Sequence, residues 1–73
     1  MPSQYPLLNP SDVTRTLEKF GFRKVSQSGS HMKYSDGVHV VIVPNHNPVP
    51  RWTFKNILKQ ANLSLDQFMK RLK

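Results

Sequence analysis

The sequence contains no cysteine and only four acidic residues, set against eleven lysines and arginines in 73 positions. Without cysteine there is neither a disulfide nor a thiolate zinc site, so one small domain must hold itself together by packing alone. This suits a reducing compartment, and a cytoplasmic location is expected. Long hydrophobic runs are also missing. No segment approaches the roughly 18 apolar residues of a membrane span, and no basic stretch followed by an apolar one marks a secretory signal. The shortage of acids leaves a net charge of +7, more than solubility requires, which points to a polyanion or an acidic protein as partner. A membrane surface is a poor candidate, because no helix combines a basic face with a Trp-rich apolar one.

The periodicity predicts an α+β fold of order α-β-β-β-α with a short extra C-terminal helix. Residues 1–9 read as an extended arm with Pro2 and Pro6, pinned through Leu7 and Leu8, and residues 10–73 as a single domain. Asn9 or Ser11 can cap a first helix, with Pro10 in its opening turn and Val13, Leu17 and Phe20 on one face. Gly21 can end it in the left-handed conformation. Strands are expected over Phe22–Ser26, His31–Tyr34 and Val38–Val43, with a turn at Gln27–Ser30. The second turn admits two readings. Asp36-Gly37 alone puts Tyr34 opposite His39, whereas Ser35-Asp36-Gly37 puts Tyr34 opposite Val38. The latter makes the cleaner amphipathic sheet, with Met32, Tyr34, Val38, Val40 and Ile42 on one face and His31, Lys33, His39, Val41 and Val43 on the other; it is the expected register. Pro44 to Arg51 is a loop. Thr53 can cap a second helix carrying Phe54, Ile57, Leu58 and Ala61, with Asn62 as its stop. Ser64 and Gln67 have capping-box spacing ahead of a last helix, Leu65 to about Leu72, with Lys70, Arg71 and Lys73 as a frayed basic tail. Helices would then cover one face of a three-stranded antiparallel sheet and leave the other solvated. Phe20, Phe22, Phe54, Phe68 and Tyr34 are assigned to the core.

A basic chain of this kind holds enough chemistry to cut RNA. One group must take the proton from a ribose 2′-OH and one must help the 5′-oxygen leave, while cations stabilise the charge that builds on phosphorus. Imidazole suits either proton role. His31 and Lys33 lie at i and i+2 of a strand, so they share a face, and Gly29-Ser30 before them is small enough for a phosphate to approach. Periodicity alone does not prefer His31 to His39 or His46. Arg51, Lys55 and Lys59 recur every fourth residue along a helix and begin at its N-terminus, where backbone N–H groups favour phosphate. Trp52 can stack on a base or pack on the loop prolines. No HxH or HExxH pair signals a metal site, and serine catalysis lacks both its elbow motif and a triad carboxylate. No metal or cofactor is expected.

From about Ser11 to Phe68 the chain resembles the HicA toxin family. Leu17-Glu18-Lys19-Phe20-Gly21-Phe22 is similar to the end of that family's first helix. Gly29-Ser30-His31 with Tyr34 is similar to its central motif, and Val43-Pro44-Asn45-His46 to the segment that closes its third strand. Thr53 to Ala61 resembles its second helix, and Leu63 to Phe68 its tail. The resemblance implies a fold like a double-stranded-RNA-binding domain and metal-independent cleavage of mRNA, an endoribonuclease activity with His31 as the catalytic residue. It also implies a HicB-type antitoxin that covers His31. RNA contacts are then expected at Gly29, Ser30, Lys33, Arg51, Trp52 and Lys55. The chain departs from the family pattern at Met32, where many members carry a second histidine, and at Trp52 and Asn62, where many carry glycine. A non-catalytic RNA-binding module and a basic protein-interaction domain are the competing expectations.

Overall fold

The computed structural model describes residues 5–72. Helix α1 spans Pro10–Lys19 and opens as its sequence dictates. The Asn9 side chain accepts from the Asp12 N–H at 2.8 Å, and Pro10 sits where a backbone donor would be unbonded anyway. Val13 and Leu17 are buried, and the buried Thr16 hydroxyl is satisfied by donating to the Asp12 carbonyl at 2.7 Å. Gly21, at φ +93°, turns the chain out of the helix while Gly21 N–H and Phe22 N–H bond back to the carbonyls of Glu18 and Leu17.

Strands β1 (Arg23–Ser28), β2 (His31–Ser35) and β3 (Val40–Pro44) follow as an antiparallel meander in that spatial order. Helix α2 (Arg51–Ala61) ends at Asn62, whose φ of 58° and the bonds from Asn62 and Leu63 N–H to Lys59 and Leu58 carbonyls repeat the geometry at Gly21. Helix α3 (Leu65–Leu72) starts with the expected reciprocal cap. Gln67 Oε1 accepts from Ser64 N–H at 2.9 Å, and Ser64 Oγ accepts from Gln67 N–H at 3.0 Å. All three helices and the inner face of the sheet share one core, in which Phe54 and Phe68 meet edge-to-face at 5.0 Å. Complete burial of each such ring stabilises the fold by about 1.5–3 kcal/mol.

The register differs from the expected one. Tyr34 stands opposite Val41, not Val38, so Met32, Tyr34, Val41 and Val43 line the core. Val40 and Ile42, 50% and 36% exposed, join His31 and Lys33 on the open face. The cause is the turn. Its closure takes four residues, Asp36–His39. Asp36 Oδ1 accepts from the Val38 and His39 N–H groups, and Ser35 Oγ accepts from the Gly37 N–H. Since residues 40–43 are aliphatic throughout, their pattern does not choose a face; turn length does. Ile42 N–H, on the outer edge of β3, donates to Gln60 Oε1 at 3.0 Å and so shields that edge.

Other boundaries shift for local reasons. β1 begins after the buried Phe22 and runs to Ser28, leaving Gly29-Ser30 as a two-residue turn. α2 begins at Arg51, with Pro50 in the cap position and no side-chain cap, so Thr53 lies inside the first turn. The arm holds this start in place: Val49 N–H donates to the Leu8 carbonyl at 2.7 Å, while Leu7 stays exposed. Nor do Lys70 and Arg71 fray. Lys19 Nζ donates to the Arg71 carbonyl, and the Arg71 guanidinium lies 5.8 Å from the Phe20 ring, which is only partly buried. Met1 to Gln4 and Lys73 lie outside the described residues.

Candidate nucleic-acid interface

The Gly29-Ser30 turn has the character of type II′, with glycine first at φ +59°. It delivers His31 as the first residue of β2. Alternation then decides where the ring goes. Met32 and Tyr34 belong to the core, so His31 and Lys33 project from the open face. His31 stands opposite Ser28 on one side and Pro44 on the other, both modest in size. The imidazole is exposed and forms no hydrogen bond or ion pair among the described residues. Both ring nitrogens are therefore open to a ligand.

The other two histidines are engaged. His39 Nδ1 lies 3.2 Å from Asp36 Oδ2. The Asp36 carboxyl is lowered to about 2, first by the backbone N–H of His39, then by that of Val38, and by the His39 ring. His46 Nδ1 lies 3.0 Å from the Pro48 carbonyl. Among the described residues no three His, Asp or Glu side chains gather into a group that can hold a metal ion.

The cations divide more finely than their sequence positions suggest. A bulge at Val25 changes the phase of β1. Arg23 stands opposite Ser35, whereas Lys24 stands opposite Tyr34, on the helix side of the sheet. Of the strand cations, Lys33 and Arg23 thus accompany His31 and Lys24 does not. On α2, Arg51, Lys55 and Lys59 are all exposed on one side of the helix. Arg51 commits its Nε to the Tyr5 carbonyl at 2.8 Å. Trp52 is 69% exposed, leaving most of its ring clear of protein, and Lys55 Nζ stands 5.6 Å from the ring centroid.

Gly29, Ser30, His31 and Lys33 therefore gather at one end of the open face, while Arg51, Trp52 and Lys55 occupy the start of α2. The segment 45–50 joins these two groups. Its first residue is pinned to the turn, with Asn45 N–H donating to the Ser30 carbonyl at 2.6 Å. Sequence reasoning did not find this link, since a backbone bond between segments 15 positions apart leaves no local signal.

The architecture is the α-β-β-β-α arrangement of a double-stranded-RNA-binding domain with one helix added, and no helix among the described residues is long and apolar enough to cross a membrane. Residues 10–63 match the family described as HicA toxin of bacterial toxin-antitoxin. The chain belongs to that family. No curated protein matches it.

Proposed function

We propose that this chain is the RNA-cleaving toxin of a toxin–antitoxin pair, acting on mRNA in the cytoplasm without a metal ion and with His31 as its proton-transfer residue. The observation that carries the reading is an exposed, unengaged imidazole directly after a Gly-Ser turn, beside Lys33 on an open sheet face, in a HicA-family chain. The reaction begins when a base takes the 2′-OH proton. The freed oxygen attacks the adjacent phosphorus, and the P–O5′ bond breaks as a proton reaches the leaving oxygen. The products are a 2′,3′-cyclic phosphate and a 5′-hydroxyl. Lys33 is placed to offset charge on the phosphorus oxygens. Gly29 and Ser30 admit the backbone, Arg51 and Lys55 hold flanking phosphates, and Trp52 offers a stacking surface for a base. A HicB-type antitoxin is the protein partner, and it silences the enzyme by covering His31.

The decisive experiment incubates purified protein with RNA in EDTA. Fragments ending in cyclic phosphate, lost with His31→Ala, are the expected result. Intact RNA would overturn the nuclease reading. If intact RNA came with salt-dependent binding unchanged by His31→Ala, the chain would be a non-catalytic RNA-binding module. Negligible RNA affinity with a tight stoichiometric protein partner would identify an interaction domain.

A further inference from the structure

We infer that His46 is the second proton-transfer group of this site, the acid that protonates the leaving 5′-oxygen while His31 acts as base. The inference rests on the ribonuclease reading above. Cleavage in one step removes a proton at one oxygen and supplies another elsewhere, which a single imidazole does poorly. Met32, beside His31, has a thioether that carries no proton, and it packs against the core.

The backbone brings residue 46 to the right place. His31 pairs with Pro44, and the Asn45–Ser30 bond extends that ladder by one step beyond the strand. One more extended residue beyond Asn45 would make 31 and 46 diagonal neighbours, which stand about 7–8 Å apart in a ladder. Gly29, the first residue of the turn before β2, has no side chain and has nothing within 4 Å of where a Cβ would stand.

The ring of His46 is also prepared for the role. A carbonyl only accepts, so the bond to Pro48 places a proton on Nδ1 and leaves Nε2 as the reacting nitrogen. His31 has no such acceptor among the described residues, so neither of its ring nitrogens is committed. The charged and titratable groups on the adjoining elements are His31, Lys33 and the buried Tyr34 on β2, Arg51, Lys55 and Lys59 on α2, and Tyr5 in the arm. The carboxylate of Asp36 lies at the far end of β2, about 16 Å from His31 at a rise of about 3.3 Å per residue, and is engaged with His39. In the reaction the 2′-OH proton passes to His31, the 2′-oxygen bonds to phosphorus, the P–O5′ bond breaks, and the Nε2 proton of His46 goes to O5′.

The test measures the pH–rate profile of RNA cleavage in EDTA for the wild type, His46→Asn and His46→Gln. The asparagine amide can still donate to the Pro48 carbonyl, and circular dichroism checks the fold of each variant. A bell-shaped wild-type profile is expected. His46→Asn should lose about 10²–10⁴-fold in rate and one limb of the bell. A substrate with sulfur in place of the leaving 5′-oxygen needs no acid, so it should restore His46→Asn to within tenfold of the wild type while leaving His31→Ala inactive. A wild-type rate and full bell in both His46 variants would overturn the assignment, as would a loss that sulfur does not rescue. If His31→Ala is inactive while His46→Asn is not, only this inference fails. Intact RNA with the wild type removes both readings.

Discussion

The meander has two turns, each adjoining a histidine, and they use that residue in opposite ways. Between β2 and β3, Asp36 accepts from two backbone N–H groups and holds the His39 ring at 3.2 Å. That imidazole belongs to the turn. Between β1 and β2, Gly29 reverses the chain through a positive φ, and His31 emerges with no side-chain partner among the described residues. What separates them is whether the loop consumes the ring's hydrogen bonds or leaves them for a ligand.

The largest expected effect tests the register that the Asp36 turn sets. Val41→Asp should prevent folding, because burying an unpaired charge costs several kcal/mol against the roughly 5–10 kcal/mol stability of a small domain. Val40→Asp, one residue earlier on the open face, should fold normally; equal behaviour by circular dichroism would refute the register. Next, His31→Ala should lower cleavage in EDTA by about 10²–10⁴-fold with little change in melting temperature, whereas His39→Ala should stay within about threefold of the wild type. Equal losses would erase the distinction between the turns.

Smaller effects concern the cations and the acid range. If Lys33 and Lys55 each contact a phosphate of single-stranded RNA, alanine at either should flatten the log–log salt dependence of binding by about 0.7. Lys24→Ala, on the helix side, should leave that slope unchanged. The smallest effect lies at Asp36. Its carboxyl is lowered from 3.8 to about 2 in the folded chain, so it stabilises fully above about pH 4, and that contribution is lost as pH falls through about 2. Amide signals of residues 37–39 followed by NMR should move across that window, and Asp36→Asn should abolish the movement.

These two turns also show how far local signals reach. The glycine stop of α1, the capping box of α3 and the left-handed Asn62 were all legible, because each is written within a few adjacent residues. So was the Gly29-Ser30-His31 stretch. The start of α2 was not, because Thr53 is a good cap in isolation while the actual start follows Pro50, held through the Leu8–Val49 bridge. The bulge that parts Lys24 from Arg23 likewise had no mark in the sequence.

By itself the sequence determined the order of elements, the helix ends and the chemistry at hand: imidazoles and cations with few acids. Only the tertiary structure decided which face of β3 is buried, which lysines accompany His31, and that Asn45 bonds to Ser30 and so sets His46 beside the turn. The physical reason is range. Caps and periods depend on neighbours in the chain, whereas register and loop docking depend on hydrogen bonds between segments that meet only once the core has formed.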